Sequence, residues 1–111
     1  MAKFNNGVID FDKEDIEAAW ENAPHLVNKE KEEYRMCYIC KFHMLKENFD
    51  KDKLSTYGWI VDLINLKKLD LDHKNFIAIH PWCMEYKKGL DNRSLLKKVK
   101  AQLWAFNDSK E

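Results

Sequence analysis

The stretch NFIAIHPWCMEYKKG, residues 75–89, decides how this chain is read. Asn75 opens an apolar run, Phe76-Ile77-Ala78-Ile79, with the length and composition of a buried strand. His80 and Cys83 follow, three residues apart, with Pro81 between them. Proline suits the first turn of a helix, where its missing N–H is not needed, and Gly89 is a natural stop. The pattern predicts a strand over 75–79, a helix over 81–89, and a His/Cys pair at their junction.

A second pair lies upstream. The chain reads C-x2-C at Cys37 and Cys40, then 39 residues, then H-x2-C at His80 and Cys83, which uses all three cysteines. Two residues between ligands let one tight turn present both side chains to one ion, and two such half-sites supply the four ligands of tetrahedral Zn²⁺. Thiolates and imidazole favour zinc over hard cations. Cys37, Cys40, His80 and Cys83 are therefore the expected ligands of a structural zinc, with His43 a competitor for the fourth position. A closed four-ligand site leaves no place for a reacting water, so the zinc is not expected to be the catalyst. The other reading of Cys37 and Cys40 is a redox pair, which needs a strand before it and a helix after it; here a charged stretch expected to be helical precedes them. His25 and His73 have no paired spacing and read as ordinary histidines.

Outward from these pairs, Asp12 with Lys13-Glu14-Asp15 reads as a helix cap and first turn, with Ile16, Ala19 and Trp20 on one face and a stop near residue 22, before Pro24. Asn28 caps a second expected helix, from 29 to about 35. An extended piece is expected over 44–49. Ser55 caps a further helix through Trp59, Ile60, Leu63 and Ile64, whose first part also fits a strand. Asn92 caps the last helix, with Leu95, Leu96, Val99, Leu103 and Trp104 as its apolar stripe.

The 111 residues make one domain over 1–111: a helical N-terminal part at 1–35, a zinc module at 36–90 and a C-terminal helix at 91–111. Hydrophobic residues are 45% and charged residues 34% of the chain, which excludes a disordered tail. No apolar run is long enough to span a membrane, and the N-terminus lacks the pattern of a signal peptide; the expected location is cytoplasmic. Three cysteines there are unsuited to a disulfide framework. Net charge is zero but uneven: residues 1–33 carry nine acids and four bases, and residues 86–100 six bases and one acid. Those bases, Lys87, Lys88, Arg93, Lys97, Lys98 and Lys100, are the candidate contacts to a polyanion; the plainer reading is a solvated face neutralised by the acidic end.

A knuckle, a hairpin, and a helix whose first turn carries the last two ligands resemble a treble-clef zinc finger, and more narrowly the zinc-bearing HNH endonucleases. The likeness spans about residues 36–90. It rests on Cys37-Tyr-Ile-Cys40-Lys with Asn48-Phe49 downstream, and on the segment from Asn75 to Lys87, where an Asn opens an apolar run, a ligand pair follows, and Lys87 comes four residues after the last ligand. The resemblance implies an α+β fold, a small zinc-stabilised treble clef surrounded by additional helices. HNH nucleases also carry an Asp-His pair on the strand before the Asn, the His acting as general base beside a catalytic cation. Here the one Asp-His is Asp72-His73, only two residues before Asn75. Asp50-Lys51 lies nearer the expected place but has no His, and Met84 stands where the family commonly has His or Asn. Asp72, His73 and Asn75 are thus the residual catalytic candidates of a degenerate motif.

The leading expectation is a catalytically inactive, HNH-like binding module for nucleic acid. A protein-interaction or inhibitory factor is the alternative, suited by the acidic N-terminal part and the four tryptophans. A lysine- and asparagine-rich, arginine-poor composition fits an AT-rich genome, that of a phage or a low-GC bacterium. An active metal-dependent endonuclease using His73 or His43 is the third reading.

Overall fold

The computed structural model of the chain describes residues 2–5, 8–49, 58–67, 70–87 and 89–105. Within them the fold is α+β: three separate two-stranded antiparallel hairpins and two short α-helices. Strands β1 (Lys3–Asn5) and β2 (Val8–Asp10) form the first hairpin, which the sequence reading did not foresee. Helix α1 (Lys13–Asn22) follows, as expected. Asp12 accepts from the Asp15 amide and Asp15 accepts from the Asp12 amide, each at 3.0 Å, so two otherwise orphaned donors are satisfied reciprocally. The helix ends where Ala23 turns extended, just before Pro24. Ala19 and Trp20 are buried and Ile16 half-buried, on the expected face.

The expected helix over 29–35 is absent. Residues 27–33 form turns, and Tyr34–Met36 is strand β3, paired with β4 (His43–Leu45). Arg35 explains the difference. It is fully buried, and its guanidinium donates to the carbonyls of Lys31 at 3.0 Å, Glu21 at 3.0 Å and Ala23 at 2.9 Å. The side chain thus ties the turns to the C-terminus of α1, where unpaired carbonyls need donors. The extended piece foreseen at 44–49 is narrower: β4 gives way to a 3₁₀ turn at Lys46–Asn48.

The third hairpin joins β5 (Ile60–Leu63) and β6 (Phe76–Ile79), with Ile60 opposite Ile79 and Leu63 opposite Phe76. A helix was expected across Ile60–Leu63; the strand alternative holds instead, because β6 supplies a partner and β-branched Ile60 and Val61 suit the pleat. Ser55, the expected cap, and Asp50-Lys51 lie outside the described residues, as does Lys88. Every residue of β6 is buried, because α1 packs along it. Trp20 of α1 meets Trp59, at the mouth of β5, with ring centres 5.0 Å apart, and Phe11 meets Phe76 edge-on at 5.1 Å. After β6 the chain forms a 3₁₀ helix at Pro81–Tyr86, shorter and tighter than the helix expected to Gly89. Gly89 has φ +84°, the left-handed turn that glycine adopts at no steric cost. Helix α2 (Arg93–Lys100) is the last regular element among the described residues. Val99 is buried and Leu95 and Leu96 half-buried, but Leu103, expected in the same stripe, lies beyond the helix and is 87% exposed.

Candidate metal centre

The 3₁₀ helix and the turn between β3 and β4 meet at one point. Cys37 follows β3, and its amide donates to the Phe42 carbonyl while its own carbonyl accepts from Lys41. Lys41 takes φ +63°, the left-handed conformation that lets so short a turn close. This knuckle holds Cys37 and Cys40 toward His80 and Cys83, and the four donor atoms all lie within 4.8 Å of one another. Cys40 Sγ is 3.3 Å from His80 Nδ1, and Cys83 Sγ is 4.0 Å from it. Tetrahedral zinc with ordinary bond lengths sets its ligand atoms roughly 3.5–3.8 Å apart, so the donor set and its spacing fit such an ion.

The ring of His80 is prepared for that role. Its Nε2 lies 2.9 Å from the His43 carbonyl. Donation to that carbonyl leaves Nδ1 as the lone-pair nitrogen facing the sulfurs, the arrangement by which outer contacts orient metal-bound histidines. Trp82 stacks on the same ring at 4.7 Å, with the planes 7° apart, and Phe42 flanks it. His43 contributes its backbone here, while its imidazole packs beside Phe42 and Tyr34; the His in the cluster is His80.

Crowding four donors sets their protonation. Cys40 is held far below the ordinary thiol range, first by hydrogen bonds from Cys37 and Cys83. Cys83 is pushed far up, because the neighbourhood of Cys37 and Cys40 disfavours a second negative charge. Burial opposes a charge on His80, yet its bonding with Cys37 and Cys40 prevails and raises it to about 9.

The remaining candidates are scattered. Asp72 accepts from the Lys74 amide at 3.1 Å, closing a turn. His73 Nε2 sits 2.8 Å from Oδ1 of buried Asp15, tying that turn to α1. Asn75 Oδ1 accepts from the Asn65 amide at 2.8 Å, and its Nδ2 donates to the carbonyls of Asn65 and Asp70; it fastens the loop between β5 and β6. Lys87, expected at the surface, turns inward and pairs with Asp62, both side chains 5% exposed. Arg93 is bound to Asp91 at 2.9 and 2.7 Å. Lys97, Lys98 and Lys100 are exposed.

The sequence reading missed Asp62, Arg35 and Tyr38. Tyr38 lies between the first two cysteines with its side chain fully buried and its hydroxyl without a hydrogen-bond partner among the described residues. Burial, then the nearby Asp62 and Cys37, pushes that phenol far up. Only the alternation of the knuckle, Cys-Tyr-Ile-Cys, could have flagged it.

Among the described residues no helix is long and apolar enough to cross a membrane. Comparison of the chain with protein-family models, curated proteins and solved structures gives no match. The likeness to HNH nucleases thus rests on the motif residues themselves.

Proposed function

We propose that this chain is a zinc-stabilised treble-clef module of the HNH type that binds nucleic acid and has lost nuclease chemistry. The order of parts supports the treble clef: a knuckle between β3 and β4, the β5–β6 hairpin, then a short helix, with two donors from the knuckle and two from the hairpin–helix junction. Loss of catalysis is supported by β5, the strand before Asn75. It carries Asp62-Leu63 where a nuclease needs Asp-His, and Asp62 is spent on Lys87. A general base must reach the proton it abstracts, and Leu63 has none to offer.

One observation carries the binding reading. Lys97, Lys98 and Lys100 crowd the last turn of α2, which itself holds no acid, while Arg93 in its first turn is paired with Asp91. Lys97 and Lys98 make no salt bridge with a described residue. Such a cluster suits phosphate contacts. Duplex DNA should be retained with an affinity that falls about 40-fold over a fourfold rise in salt if three phosphates are engaged. Lys97→Glu/Lys98→Glu should abolish retention, and a wild type that ignores DNA at low salt would sink the reading.

A protein-binding role draws on a different surface. Phe42, Trp82, Met84 and Tyr86 are 40%, 38%, 49% and 67% exposed around the metal centre, and exposed apolar groups gathered in one place mark interaction sites. Capture of one defined protein, lost on Tyr86→Ser/Met84→Ser and independent of the α2 lysines, would favour this role.

A further inference from the structure

A cavity of about 330 Å³ opens where α2 ends, a size at the lower end of small-ligand clefts. Pro24, Val27, Leu103 and Trp104 give it apolar walls, and His25 and Lys100 stand at it. Trp104 is held in place: its indole N–H donates to the Val99 carbonyl at 2.8 Å, and its own carbonyl accepts from the Val27 amide at 2.8 Å. That last bond closes the backbone edge to an incoming peptide strand, so the cavity offers rings and side-chain charge instead.

The charge is predominantly positive. His25 is held below its ordinary pKa by burial, then by Arg35, Lys31 and Lys100, with Glu21 the opposing acid. Lys100 is likewise lowered by burial and by Arg35. Glu21 is itself bonded to Arg35. The surplus of positive potential beside an indole calls for a ligand that is anionic at one end and flat and apolar at the other.

We infer that this cavity takes an unpaired nucleotide of a nucleic-acid strand, its base against Trp104 and its phosphate at Lys100 and His25. The inference rests on the nucleic-acid reading above and refines it. The phosphate path along α2 runs directly into the cavity through Lys100, and bases stack on aromatic side chains wherever a strand is unpaired. A paired base is buried in its own stack and gains nothing there.

The test compares a ten-nucleotide oligothymidylate with a blunt hairpin duplex, by titration of the whole chain. Trp104→Leu should weaken the single strand about tenfold or more and leave the duplex within twofold. Leu103→Ser, at an exposed position where folding is not at stake, should weaken the single strand in the same selective way. Melting temperature and bound metal check that both variants are folded. If the duplex is retained with its salt dependence but neither variant changes single-strand affinity, the cavity assignment falls and the lysine cluster stands. Equal losses on both probes also overturn the assignment. If wild type binds neither probe, both readings fall together.

Discussion

Asp62 and Lys87 stand 25 residues apart and are both removed from water. Each charge loses its hydration on burial, and the pair is tolerable only while it is intact. Lys87→Met should therefore destabilise the protein by about 3–5 kcal/mol, because it leaves the buried Asp62 carboxyl without its partner. Asp62→Leu/Lys87→Met should recover most of that loss; denaturant midpoints of the single and double variants measure both effects. Such a pair is invisible to periodicity and spacing, since nothing local marks either residue. Lys87 accordingly reads as a surface base in the sequence and proves to be an inward one. The four metal-type donors were legible for the opposite reason: a two-residue gap is itself the geometry that a shared ion demands. Asn75 falls between these cases. Its place before a strand was evident, but not that its amide would bridge Asn65 and Asp70.

At the scale of elements, what could be read depended on whether a segment carries its own instructions. Helix α1 does: its cap, its acidic first turn, its buried face and its stop all lie within 12–24. Asp12→Ala should cost about 0.5–2 kcal/mol, because it unpairs the Asp15 amide at the helix start; thermal unfolding measures it. Strand β6 was equally plain, since its four apolar residues are bounded by Asn75 and Pro81. Residues 29–35 carry no such instructions. Their charges suit a helix, but Arg35 finds carbonyls on α1 and the chain turns to meet them. The β5 segment fits two periods at once, and only pairing with β6, through a loop that Asn75 fastens, selects the strand. In both places a tertiary partner overrides a local preference.

At the scale of the molecule, the three separate hairpins and two short helices of the described residues make a thin scaffold, since a two-stranded hairpin is at best marginal alone. Zinc binding in small modules contributes about 10–16 kcal/mol, comparable to the entire stability of a domain. Chelation should thus unfold the chain, with loss of near-ultraviolet dichroism and recovery on adding Zn²⁺; Cys83→Ser should abolish tight zinc uptake at micromolar protein. The two forms should also respond oppositely to pH. In the metal-free chain His80 is raised from 6.5 to about 9, so its contribution to stability is full below 6.5 and fades as pH rises through 9. In the metal-loaded chain His80 must be neutral and the thiols ionised, so acid weakens the complex and zinc uptake near neutrality releases protons. Unfolding midpoints of both forms across pH, together with proton release on titration with zinc, decide this.

Trp20 and Trp59 bring two indoles from distant parts of the chain to within 5.0 Å, tilted by 45°. Transition dipoles at that separation and angle mix, and the mixing yields a paired positive and negative circular-dichroism band that neither chromophore produces alone. The molecule therefore carries a built-in optical ruler for the docking of α1 onto the β5–β6 hairpin. Its signal can be followed during chelation, timing the loss of the hydrophobic centre against the opening of the knuckle.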